Sequence, residues 1–185
     1  MRTTIAILFF LFATGLRADD QLPPPPSGYT WQRLPTIKGA LMKPDGWFFK
    51  SDKKGLTEGF FITMEDIDKS GSFQTGLTLN CVHDVPKTTG HIPSVYAKSL
   101  ADAAAAKFEL KDRSDLVQGP FRGVKFQYVS APKDKESVTI YQLLIANDKT
   151  GTLYMVMLES PTKTWDQTWK TGEVILKKML IDEGI

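Results

Sequence analysis

The side chains best suited to chemistry lie close together in the chain. Cys81, His83, Asp84 and His91 carry sulfur, nitrogen and oxygen donors. A strand running through Cys81 to His83 would aim those two side chains to one side. His91 could fold back across the turn-like residues 86–90 to join them. Three such ligands suit zinc or copper. The spacing fits no established metal site, so Cys81, His83 and His91 stand as weak metal-ligand candidates and no cofactor is expected. A Cys81–histidine nucleophile pair is the other chemistry these residue types allow. Against it, Cys81 shares its strand face with Leu77 and Leu79, which predicts an apolar surrounding and a raised thiol pKa.

Other motifs thin out quickly. Asp66, Asp68, Ser70 and Gly71 match the first half of a calcium loop. The twelfth position is Leu77, where a bidentate glutamate is needed, so a polar turn is the expected structure. There is no Gly-x-Ser-x-Gly, His-Glu-x-x-His, phosphate-binding glycine loop or Cys-x-x-Cys. Aromatic residues are denser: Trp31, Trp47, Phe48, Phe49, Phe60 and Phe61 crowd the N-terminal half. A strand has two faces, so Trp47, Phe48 and Phe49 cannot all enter one core layer. Either both faces are covered or one aromatic is left on a binding surface. These three are the partner-binding candidates.

Composition sets the frame for these residues. The chain has 185 residues, 42% hydrophobic and 24% charged, which describes one globular domain with a core of its own. Its one long apolar run, residues 5–13, follows a basic start and precedes Leu16-Arg17-Ala18. That layout is a secretory signal peptide, residues 1–18, cut near Ala18. The run is too short to span a bilayer, so no stable membrane anchor is expected after cleavage. Cleavage removes Arg2 and Arg17 and no acid, leaving 21 basic against 21 acidic side chains. The zero balance gives no general attraction to nucleic acid. A single cysteine and no Asn-x-Ser/Thr acceptor fit an exported protein of a bacterial envelope, periplasmic or secreted.

The elements that must position these residues follow from periodicity and turn signals. Residues 19–30, with Pro23 to Pro26, read as a Pro-rich linker and spacer. Residues 31–185 form the domain. Short strands are expected at 31–34, 40–42, 47–50, 59–64 and 73–82, with the polar loop 52–55 between the third and fourth. A helix is expected over 94–111, with Ser94 as its N-cap. Val124, Phe126 and Tyr128 alternate with polar residues as a strand, and 138–146 and 153–158 read as central strands covered on both faces. A last helix spans about 164–182, with Thr164 and Gln167 at capping-box spacing and Trp165, Trp169, Gly172, Leu176 and Met179 on one side. The predicted class is α+β: an αβα sandwich, a mainly antiparallel sheet with helices on both faces.

With the elements in that order, the sequence resembles the PsbP-like family. Pro44-Asp45-Gly46-Trp47 resembles the family's early Pro-x-Gly-Trp turn. Residues 73–79 resemble the strand after the second hairpin, and residues 146–154 the late hairpin leading to the final helix. The family includes the extrinsic photosystem II subunit, its bacterial relatives, and a Ran-binding transport factor of the same fold. The resemblance implies a non-catalytic binding or assembly module acting on a protein partner. The alternatives are a small-ligand or metal-binding periplasmic protein, and an enzyme without a recognisable motif.

Overall fold

The computed structural model describes residues 22–185. The expected signal peptide and its cleavage point lie outside the described residues. The chain opens with an antiparallel hairpin, β1 (Tyr29–Leu34) and β2 (Gly39–Pro44). β1 thus starts at Tyr29, two residues inside the segment read as linker. That segment is also tied down, because the Trp31 indole N–H donates to the Pro23 carbonyl at 2.6 Å. Asp45-Gly46 then turns the chain, with Gly46 at φ 78° and the Trp47 N–H on the Pro44 carbonyl.

Seven strands build the main sheet: β3 (Phe48–Lys54), β4 (Thr57–Thr63), β5 (Gly76–Val82), β6 (Lys111–Gln118), β7 (Phe121–Ser130), β8 (Val138–Asn147) and β9 (Thr152–Pro161). Their spatial order is β3-β4-β5-β9-β8-β7-β6, and every neighbouring pair is antiparallel. Short helices α1 (Ile67–Ser70) and α2 (Val85–Thr89) lie in connections. The two longer helices are α3 (Pro93–Ala105) and α4 (Trp165–Lys178).

Alternation along the strands divides the apolar side chains between two layers. Ile62, Leu77, Leu79, Cys81, Tyr154, Val156, Leu158, Leu143 and Ile145 face one side. There they meet Leu34, Ile37, Leu41 and Met42 of the first hairpin and Ile175 and Leu176 of α4. Val124, Phe126, Leu144, Ala146 and Leu153 face the other side, beneath Ala97 and Ala101 of α3. Each fully buried Leu or Ile stabilises the fold by roughly 1.5–3 kcal/mol. The predicted sandwich is therefore present, with the β1–β2 hairpin adding to the α4 layer.

Several boundaries differ from expectation for identifiable reasons. β3 runs on to Lys54 through the segment read as a loop, and the turn shrinks to Gly55 and Leu56. A lysine-rich edge strand satisfies only one ladder and tolerates solvent on its outer side. The helix expected to reach Lys111 ends at Ala105, and Lys111–Gln118 is instead edge strand β6. Its KDRSDLVQ sequence lacks apolar alternation, because most of it is exposed and its hydrogen bonds come from β7. Ser94 is not the cap of α3; Ile92 holds that position and Pro93 follows it. The Ser94 N–H and hydroxyl instead donate to the Asp148 carboxylate at 2.8 and 2.6 Å. Asp148, in the β8–β9 turn, thus supplies the negative charge that a helix N-terminus favours. Thr164 makes no capping bond to α4, and its hydroxyl donates to the Pro161 carbonyl. α4 stops at Lys178, and Met179 to Ile181 continue as buried extended chain paired with Ala40.

Gly172 shows how closely α4 lies on the sheet. A Cβ there would sit 2.1 Å from Leu158 Cδ2, and Leu158 is fully buried. Helix propensity favours Gly172→Ala by about 1 kcal/mol. Overpacking costs about 1–3 kcal/mol, and the overlap is deep, so the clash wins. Gly172→Ala should lower the thermal midpoint, and Leu158→Val in the same chain should recover part of the loss. A midpoint unchanged or raised by Gly172→Ala would show the contact to be loose.

Candidate functional site

Two places collect the residues that the sequence singles out. The first lies at one end of the sheet, where register puts Lys53, Glu58, Cys81 and Tyr154 in one row across β3, β4, β5 and β9. His83 follows Cys81 on the same side. Its Nε2 lies 3.6 Å from Cys81 Sγ and 3.3 Å from Glu58 Oε1. The Lys53 ammonium donates to Glu58 at 3.1 Å. Glu58 is only 6% exposed. Burial by itself pushes its carboxyl up. Hydrogen bonds from the Thr36 hydroxyl and Lys53 outweigh that and hold it below the usual carboxylate range.

The structure therefore brings Cys81 and His83 together and adds Glu58, which the sequence reading missed. The available signal was a lone glutamate in the apolar run 57–63. His91 lies in the exposed connection between α2 and α3, its backbone N–H on the Thr89 hydroxyl. Among the described residues, no group of three or more His, Cys, Asp or Glu side chains is arranged to hold a metal ion.

Nucleophilic chemistry is also poorly served here. Burial, then the Glu58 carboxylate, pushes the Cys81 thiol up to about 12. A thiol so held stays protonated and unreactive at neutral pH. In a nucleophile–base–acid relay, the two ring nitrogens contact different partners. Here the same nitrogen, His83 Nε2, meets both Cys81 and Glu58. What the cluster does well is join elements: Glu58 ties the β1–β2 connection, through Thr36, to β3 and β5.

The second place is an uncovered part of the sheet. α3 packs on β7, β8 and β9, leaving the same face of β3 and β4 to the segment between β4 and β5. Phe49 and Trp47 turn toward the α4 layer and are partly buried against its core. Phe48 points the other way and is 41% exposed. Of the three aromatic candidates, Phe48 is thus the one at the surface. Beside it, Lys50, Asp52, Phe61, Ile67, Gly71, Ser72 and Phe73 enclose an open depression of about 290 Å³. Phe73 is shared with a second depression of about 360 Å³, lined by Gln74, Lys135, Glu136, Val138, Glu159 and Pro161. Asp66, the first residue of the half-matched calcium loop, caps α1 by accepting from the Asp68 N–H. That capped helix is what carries Ile67 onto the open face.

Two measurements check the first cluster. Glu58 is depressed on folding, so the stability it contributes is present above its ordinary value of 4.5 and is lost as pH falls through the folded value. Glu58→Gln should cost about 2 kcal/mol at pH 7, the scale of hydrogen bonds to a charged group. Denaturant titrations should show the gap between parent and variant closing in acid. A gap independent of pH would mean that the carboxylate charge is irrelevant. Cys81 should react with iodoacetamide in the native protein no faster than the protein unfolds. Rapid alkylation under native conditions would contradict the buried thiol.

No protein-family model and no curated protein matches the sequence. Among solved structures, the solution structure of cyanobacterial PsbP from Synechocystis sp. PCC 6803 is similar at a TM-score of 0.53 and 10% identity. The match covers 89% of this chain and 98% of that one. The mainly antiparallel sheet, its helices and this alignment agree that the chain has a PsbP-like fold.

Proposed function

We propose that this protein is an exported, non-catalytic binding or assembly module that acts on a protein partner in the bacterial envelope. The observation that carries this reading is the half-covered sheet face, where Phe48 stands exposed beside the Phe61–Ile67–Phe73 depression. A fold of this size has enough helix to cover that face only in part. The remainder is floored by aromatic side chains and rimmed by Lys50 and Asp52. An aromatic centre with a charged rim is the composition of protein interfaces. The signal-like start and the PsbP-like fold support the export and the accessory role. The Cys81–His83–Glu58 arrangement supports the non-catalytic one, because its thiol is held protonated.

A photo-crosslinking amino acid placed at Phe48 in living cells tests the reading. It should capture one reproducible envelope protein. The same group placed at Val117, 71% exposed on the opposite edge strand, should not. With the captured partner purified, Phe48→Ala should weaken binding by about 30-fold, the hot-spot scale of 2 kcal/mol. Its stability should stay within about 0.5 kcal/mol of the parent. Equal capture at both positions would end the proposal.

A further inference from the structure

Glu159 is out of place in its surroundings. It lies on β9 between Gly76 of β5 and Ile140 of β8, on the sheet face that α3 covers only in part. Val138, Pro161 and Phe73 wall the depression it lines. Among the described residues, no hydrogen-bonding or ion-pair partner reaches its carboxylate. Glu136, on the same rim, is already paired with Lys163 at 2.8 Å. Lys135 lines the depression from the β7–β8 connection and, among the described residues, makes no ion pair. Glu159 is partly buried, and withdrawing an unpaired carboxylate from water opposes folding; among the described residues no contact offsets that cost. Such groups gather at functional sites.

The shape and chemistry of the depression define what would offset it. Its volume of about 360 Å³ lies near the lower limit for ligand pockets, enough for one long side chain and small for a cofactor. Two of its charges make no ion pair among the described residues: the Lys135 ammonium, which is exposed, and the Glu159 carboxylate, which is the partly buried one. Its aromatic wall, Phe73, offers a π-face to a flat cation. On the far side of Phe73, the neighbouring depression has an apolar floor of Phe61 and Ile67, and its Lys50 is already engaged by Asp68. We propose that the Glu159 depression receives a basic side chain, a guanidinium above all, presented by the protein partner next to a bulky apolar residue that enters beside Phe61. Arginine fits better than lysine, because its planar fork can pair with both carboxylate oxygens and stack on an aromatic ring. The inference rests on the proposed binding role and specifies what the partner must display.

Benzamidine, a flat aromatic amidinium, is a suitable probe for the intact mature chain. Its titration, followed by NMR, should give saturable shifts at the Glu159 side-chain carboxyl and the Phe73 ring. Glu159→Gln should weaken binding at least tenfold while its thermal midpoint at pH 7 does not fall, since the change removes an unpaired charge. Lys135→Ala should bind as well as the parent or better. Shifts that are absent, or equal in Glu159→Gln, would overturn the site. Binding seen only in Lys135→Ala would also overturn it, by making Lys135 the resident counterion. Capture through Phe48 is read separately. If capture succeeds while benzamidine fails, the binding module stands and only the guanidinium site falls. If capture fails while benzamidine binds, the site stands as a small-cation pocket without a protein partner.

Discussion

The structure depends on the pairing of β5 with β9. Gly76 to Val82 lie beside Glu159 to Leu153, far apart in sequence, and this seam joins the N-terminal strands to the C-terminal meander. Without it there would be a three-stranded sheet and a four-stranded sheet, each with a bare edge. Leu77, Leu79, Val156 and Leu158 at the seam are fully buried. α4 rests over them, and Gly172 lets its backbone approach Leu158. The tail of α4 then pairs with the first hairpin, as Ala40 and Leu180 exchange backbone hydrogen bonds at 2.9 and 3.0 Å. One side of the sheet is thus closed by two elements that also hold each other.

The other side lacks such a pair. An α-helix with its side chains is about 10–12 Å thick. Neighbouring strands are about 4.8 Å apart, so a helix running along them shields two or three. α3 packs chiefly on three strands, β7, β8 and β9, and reaches β6 through the Asp102–Arg113 ion pair. Seven strands need more cover than that. The shortfall falls on β3 and β4, where the four-residue α1 and Phe73 give only partial shelter. The open aromatic surface is therefore a consequence of topology: one α-helix serves a sheet wide enough for two.

Much of this was legible in the sequence, and the failures share a cause. β8 and β9 declared themselves because strands buried on both faces are apolar throughout. β6 did not, since an exposed edge strand owes its structure to the neighbour's backbone and not to its own side chains. The cap of α3 was unreadable for a similar reason: Asp148 lies 54 residues from Ser94. Likewise Cys81 and His83 were neighbours in sequence, whereas Glu58 reaches them only through the β4–β5 register. The ambiguity of Trp47, Phe48 and Phe49 was one of pattern. Alternation requires one of them to face away from the main core, but only the reach of α3 decides whether that one is covered.

The two carboxylates within the sheet sharpen the distinction between structure and function. Glu58 is buried with Lys53, Thr36 and His83 around it, and those partners hold it ionised. Its charge is used up inside the fold, joining hairpin to sheet. Glu159 is partly buried, and desolvation pushes its carboxyl up with nothing drawing it back. Tyr128, two strands away on the same face, is also raised by burial and, to a lesser degree, by that carboxylate. The same chain that partners the buried Glu58 leaves the partly buried Glu159 unpartnered among the described residues, on the sheet face that α3 covers only in part. The opening follows from topology, and the unpartnered carboxylate is the one feature beside it that the packing of the fold does not explain.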